Sequence, residues 1–318
     1  MGSYLTTESV VTHAPPAIEF PMNPKLLYLD TNIWNRLADQ NIDPHRLLGD
    51  LGDKNASLAL SGQAIYELSR TFLSPQPNAL VRAQNLFRYV KHYVDAEIPC
   101  AHDNMEQLRG EVTALNTGMS EVVAFYGPKE YALLKAEVEK LSQGIWDKRA
   151  EELIAGRKQF SQSTRSGQQG HLQAKQNVAD RLKAVAEDQL RAWLDREVLS
   201  DSGTAILAAH LLGMDEGLSK ETAILNARAL LQIRPSRIAK SVVRADLYFN
   251  WRCANRGSNP KDLLDDLYHI LNSSYCSFHV TAEPRQAEYA CLMLSQWTRV
   301  AIYDDHTPID AWLLGLVK

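Results

Sequence analysis

The chain contains no run of 18 or more apolar residues, so nothing in it reads as a transmembrane helix. Cysteine is scarce: Cys100, Cys253, Cys276 and Cys291 are the only four in 318 residues, and none forms a CxxC pair. That spacing speaks against a zinc ribbon or a disulfide framework. It predicts reduced, mostly buried thiols in a cytosolic protein. An excess of basic charge is missing too, with 34 Lys and Arg against 38 Asp and Glu and a net charge of -4. A nucleic-acid partner would therefore have to be held by a local patch rather than by the overall field. No GxGxxG follows the first apolar segment and no GxxxxGK[ST] occurs, which argues against a nucleotide-cofactor enzyme on a doubly wound sheet. The N-terminus lacks the charged start and apolar run of a signal peptide. It does fit the myristoylation pattern at Gly2, a short pattern that recurs by chance.

What is present is ordinary for a globular chain: 45% hydrophobic and 23% charged residues, in a length sufficient for one large domain or two small ones. Residues 1–24 are polar and proline-bearing and read as a tail. Lys25–Asp30 is a continuous apolar run ending in an acid, as a buried parallel strand would be, and a helix is expected to begin at Ile33-Trp34. Ala56–Leu60 reads as a second strand. Ser61 is a suitable N-cap for a helix to about Phe72, which Pro75 and Pro77 terminate. Residues 79–250 read almost wholly helical, interrupted by a polar loop over Gly156–His171 that carries Arg157, Lys158 and Arg165. Asn259-Pro260 then starts a helix to about Ser273, followed by a strand at Ser277–Thr281, a helix from Pro284 to about Trp297 and a last strand at Thr298–Tyr303. The expected fold is a three-layer α/β domain with a mostly parallel sheet, built from residues 25–78 and 251–318, with 79–250 as a large helical insertion.

The acids mark the carboxyl edge of that sheet, where ligands of open parallel sheets bind. Asp30 ends the first strand, Glu283 lies just past the third predicted one, Asp266 sits on the helix before it, and Glu67 lies on the helix after the second. Converging carboxylates repel one another unless a cation neutralises them, and oxygen ligands favour Mg²⁺ or Mn²⁺. Each residue also has a plain structural reading. Asp30 fits a helix cap, Glu67 an exposed helix carboxylate, Asp266 and its neighbours Asp262 and Asp265 the positive end of a helix dipole, and His269 a core histidine.

The arrangement resembles the PIN-domain nucleases. Leu26-Leu-Tyr-Leu-Asp30-Thr-Asn32-Ile-Trp34 looks like the family's opening strand, Ser61–Leu68 like its second acidic segment, and Asp266-Leu-Tyr-His269 through Val280-Thr281-Ala-Glu283 like its third and fourth. Residues 25–73 and 259–310 carry the likeness; Glu283 stands where the family usually has Asp, with Asp304 and Asp305 as substitutes. The resemblance implies a metal-dependent endonuclease acting on RNA, with toxins or defence effectors among its relatives. Asp30, Asp266 and Glu67 would hold Mg²⁺ or Mn²⁺, Glu283 would complete the catalytic set, and Asn32, Asp262 and His269 would support them. Alternatives are a DNA nuclease on the same fold, or a non-catalytic module binding RNA or a protein. Cationic grip on RNA is expected from Arg237, Lys240 and Arg244, which share a helical face in an arginine-rich stretch from Arg234 through Arg252 to Arg256, and from Arg285. The helical insertion is expected to offer a surface to a protein partner or regulator. No membrane partner is expected.

Overall fold

The computed structural model describes residues 24–145, 184–233, 236–256, 263–294 and 296–318. Among these, Lys25–Leu29 (β1), Ala56–Ser61 (β2), Cys100–Ala101 (β3), Phe278–Thr281 (β4) and Arg299–Ile302 (β5) form one all-parallel sheet in the order β3-β2-β1-β4-β5. The central strand β1 pairs Leu27 with Leu58 on one side and with Phe278 on the other, which joins the two ends of the chain in one sheet. Alternation along the strands decides what each face carries. Leu27, Leu29, Leu58, Leu60, Phe278 and Val280 point into one apolar core. Tyr28, Ala59, Ser61, His279 and Thr281 alternate to the opposite face, and Asp30 extends that parity one residue past β1. The sheet is thus apolar on one side and polar on the other.

The apolar face is covered by Thr31–Asp39 (α1), Pro44–Gly52 (α2), Gly62–Ser69 (α3), Ala79–Asp95 (α4), Pro128–Ser142 (α6) and, near the C-terminus, Ile309–Leu316 (α13). Each fully buried leucine of this core contributes roughly 1.5–3 kcal/mol. The polar face is covered by Asn104–Thr117 (α5), Leu190–Glu197 (α7), Asp201–Met214 (α8), Lys220–Arg228 (α9), Ile238–Arg256 (α10), Leu263–Asn272 (α11) and Pro284–Met293 (α12), which share a second core. The result is helices, sheet, helices. No helix among the described residues is long and apolar enough to cross a membrane.

Several local expectations are met. Ser61 Oγ accepts from Ala64 N at 3.1 Å and caps α3. All four cysteines are free, as expected, but only Cys100 and Cys276 are buried; Cys253 is half-buried and Cys291 is exposed. Two expectations change. The middle of the chain is not wholly helical, because Cys100–Ala101 adds an edge strand beside β2; two residues are too few to show any alternation. The helix from Pro284 stops at Met293, where Leu294 turns to an extended conformation (φ -75°, ψ 149°). The tail over 1–23, the loop over 156–171, the Asn259-Pro260 helix start and Asp262 lie outside the described residues.

Candidate metal centre

Asp30 closes β1 and opens α1, yet it is not an ordinary helix cap. Two ordinary Asp caps among the described residues are Asp43 and Asp103. Their Oδ1 atoms accept from the amides two and three residues on: His45 and Arg46 for one, Met105 and Glu106 for the other. Asp30 Oδ1 accepts from the adjacent residue, Thr31 N at 2.7 Å and Thr31 Oγ1 at 3.4 Å, and from no amide further along α1. Its carboxylate stays in contact with α1 through Thr31 and Asn32 and at the same time faces α11. It is 2% exposed and is held by side chains from three elements. Asn32 Nδ2 donates to Oδ2 in a short contact, Thr281 Oγ1 lies 3.0 Å from Oδ2, and His269 Nε2 lies 3.0 Å from Oδ1. Asn32 is fixed in turn, because its Oδ1 accepts from Ala282 N at 3.0 Å. The single hydroxyl proton of Thr281 serves either Asp30 or Gln286 Oε1, 2.7 Å away.

α11 precedes β4 and packs on the polar face, where Asp266 in its first half and His269 in its last turn come to Asp30 and Glu67. Asp266 and His269, three residues apart, fall on one side of it. Glu67 comes to the same edge on α3, directly after β2. It is not the exposed helix carboxylate of the plain reading: its side chain is 21% exposed and faces the His269 ring, with Oε2 3.6 Å from Nδ1. Gln63 Nε2 donates to Glu67 Oε1 at 2.9 Å and Thr31 Oγ1 donates to Oε2 at 3.4 Å.

The donor atoms of Asp30, Glu67 and His269 all lie within 4.8 Å of one another. His269 is therefore in the centre of the group, not beside it as a supporting residue. It takes the place in the tightest set that the sequence assigned to Asp266. Neither ring nitrogen has an acceptor along its N–H direction, so both contacts are electrostatic rather than directed hydrogen bonds, despite the 3.0 Å separation from Asp30. Two carboxylates with an imidazole whose buried nitrogens are not otherwise engaged are a donor set that fits a divalent cation.

The titration of the group reports its crowding. Burial works against the charge on His269, but Glu67, Asp30 and Asp266 outweigh it and push the imidazole up to about 9. Burial likewise works against ionised Asp30, but the His269 contact and charge prevail and bring it down to about 2. Asp266 is raised to about 6, first by burial and then by repulsion from Glu67, Glu283 and Asp30. Those causes place all four acids in one electrostatic neighbourhood, Asp266 and Glu283 at its margin. Glu283 is exposed, at the start of α12, with its amide donating to Thr281 Oγ1 at 3.1 Å. Behind the group, His279 is fully buried between Tyr28 and His269 and is lowered to about 4, chiefly by burial.

Other candidates go elsewhere. Asp305 pairs with Arg36, and Asp304 accepts from His306 N, so neither substitutes for Glu283. The face of Arg237, Lys240 and Arg244 lies toward the opposite edge of the sheet. Arg237 stacks on Tyr275 and Trp297, which precede β4 and β5, and Arg244 bonds Asp195 at 2.7 Å and the Leu294 carbonyl at 3.4 Å. Arg252 is buried over the Tyr289 ring. Of the predicted grip residues, Arg285, exposed in the first turn of α12, remains beside the acids. Sequence reasoning missed Gln63, four residues before Glu67 on the same helix face, and Gln286, the partner of Thr281. It also missed Glu111, a second buried acid, whose position on the apolar stripe of α5 three residues after Leu108 was the available signal. No family model, no curated protein and no solved structure matches this chain.

Proposed function

We propose that the chain is a PIN-like, metal-dependent endonuclease that hydrolyses phosphodiester bonds in RNA, with Asp30, Glu67 and His269 as the primary cation ligands and Asp266 and Glu283 completing the acidic cleft. The observation that carries this reading is the carboxylate of Asp30. It is buried, capped only by the adjacent residue of its helix, and gathered with three further acids and one imidazole. If all four acids ionise, one imidazolium leaves a formal surplus of three negative charges. A surplus of that kind gathered around a buried carboxylate calls for a cation. Carboxylate oxygens suit Mg²⁺ or Mn²⁺, and the imidazole nitrogen favours Mn²⁺ over Mg²⁺.

Each residue has a part that its own surroundings support. Asn32 and Thr281 fix the orientation of Asp30, while Gln63 and Thr31 fix that of Glu67. Asp266, near pH 6, is suited to take up a proton from an attacking water at neutral pH. A bound divalent ion would supply the lowered water pKa and the neutralisation of phosphoryl charge that hydrolysis needs. Arg285 is placed to meet a phosphate of the strand beside the cleft.

A second reading rests on one observation. His269, charged at neutral pH, offsets Asp30 and Glu67 by itself, as it would in a non-catalytic RNA- or protein-binding module. Incubation of labelled RNA and DNA with the chain in Mn²⁺ or Mg²⁺ separates the readings. The expected result is RNA cleavage that stops on chelation and in Asp30→Asn. Binding without cleavage of either polymer selects the module, and cleavage of DNA alone corrects the substrate.

A further inference from the structure

A second cluster of charge stands at the amino edge of the sheet, away from the acids. Here α7, the first turns of α10 and the segment entering β5 enclose a cleft of about 320 Å³ lined by Arg191, Asp195, Lys240, Arg244, Gln296 and Trp297. Three cations and one carboxylate line it. Asp195 receives Arg244 Nη2 at 2.7 Å and Arg191 Nε at 3.4 Å, and Lys240 makes no hydrogen bond or ion pair among the described residues. The formal balance of the cleft is three positive charges against one negative, or +2.

The guanidinium of Arg244 is deeply set, its side chain 12% exposed, and its Nε is buried with no acceptor. Burial lowers both Lys240 and Arg244; Arg244 adds to it at Lys240 and Arg191 at Arg244, while Asp195 works the other way on Arg244 and Glu111 on Lys240. The cleft thus concentrates positive charge that the fold does not neutralise. The amides at the start of α10 are not the donors here, because Glu111 already accepts from Arg237, Ile238 and Ala239.

We propose that this cleft is a binding site for a phosphate group, free or as a small phosphomonoester, independent of the nuclease centre. A phosphate dianion matches the +2 balance and accepts from ammonium and guanidinium donors at once. The volume is at the lower end of the roughly 300–1,000 Å³ of small-ligand pockets, enough for a phosphate with a short organic group. Val198 and Leu199 give that group an apolar wall.

The test is calorimetric titration of the full chain with inorganic phosphate and with glycerol phosphate, in EDTA so that no metal at the acids can carry the anion. The variants are Lys240→Met, Arg191→Met and Asp30→Asn. Arg244 is left intact because it is deeply set and also bonds the Leu294 carbonyl, so its loss would disturb packing. The expected result is saturable binding by the wild type and by Asp30→Asn, weakened about tenfold or more in Lys240→Met and Arg191→Met, in line with loss of a charged hydrogen bond. Tighter binding of glycerol phosphate assigns the phosphomonoester; equal binding assigns free phosphate. The proposal is overturned if the wild type binds neither anion saturably, or if Lys240→Met and Arg191→Met, folded by circular dichroism, bind as tightly as the wild type. Loss of binding in Asp30→Asn alone would move the anion to the acid cluster and overturn it equally.

Discussion

Asp30 and Glu111 are equally inaccessible, each 2% exposed, and both meet the N-terminal end of a helix. Their surroundings differ in kind. Glu111 reaches from α5 to the start of α10 and accepts from the amides of Arg237, Ile238 and Ala239 at 2.5, 2.9 and 3.0 Å, and from the Tyr275 hydroxyl at 2.6 Å. Burial dominates and its carboxyl is raised. Three of its four partners are backbone groups, and none is an acid. Asp30 is held mostly by side chains, beside three other acids and a charged imidazole, and is driven down to about 2. A buried acid whose lone pairs go to fixed amides fastens one helix to another. A buried acid gathered with other acids holds charge that the fold alone does not settle.

The largest expected effect separates the two directly. Asp30→Asn keeps size and shape but removes ligand charge, so RNA cleavage should fall about a thousandfold, some 4 kcal/mol of transition-state stabilisation, with the folding transition retained. Glu111→Ala should do the reverse. It strands three amides and a tyrosine hydroxyl, costing about 3 kcal/mol of stability or more by denaturant titration, with activity per folded molecule unchanged. Equal losses of activity and stability in both variants would erase the distinction.

The pH dependence of metal-free stability comes next. His269 has a folded value of about 9 against an ordinary 6.5, so its contribution is fully present below pH 6.5 and is lost as pH rises through 9. Asp30 has a folded value of about 2 against 3.8, so its contribution is present above pH 3.8 and is lost as pH falls through 2. Urea unfolding in EDTA should therefore weaken between pH 6.5 and 9 in the wild type, and much less in His269→Gln. A profile that is flat there in both would remove the ion pair from the account.

Asp266 sharpens the comparison from the opposite sign. Its folded value of about 6 exceeds 3.8, so ionising it costs stability as pH rises between those values, and the cost persists above. Asp266→Asn should raise the melting temperature modestly at pH 7 in EDTA while lowering cleavage. A drop in both would make Asp266 a structural residue. The smallest effect concerns grip. Arg285→Ala should weaken RNA binding and reduce the magnitude of its salt slope by about 1, whereas Arg237→Met, facing the other edge, should leave the slope unchanged.

The same contrast explains what could be read from sequence. Asp30, Glu67 and Asp266 were legible because strand ends and helix starts put them at one edge, and continuous apolar runs announce β1 and β4. β3 was not legible, because Cys100–Ala101 is too short for a period. The role of His269 was not legible either, because a histidine three residues from an acid has the same pattern whether it faces a core or a carboxylate. The face of Arg237, Lys240 and Arg244 was legible as a face, but its direction was not. Helical spacing fixes which residues share a side, and only the packing of α10 against Tyr275 and Trp297 fixes where that side points. Gln63 and Gln286 matter through partners that the sequence does not name.

Binding of Mn²⁺, followed by the loss of its free-ion electron paramagnetic resonance signal, tests the central claim that the Asp30 group and not the Glu111 group is a cation site. The account predicts saturable binding by the wild type and by Glu111→Gln with the same stoichiometry, and none at comparable concentrations by Asp30→Asn. Binding by Asp30→Asn equal to that of the wild type, or no binding by the wild type, would contradict it.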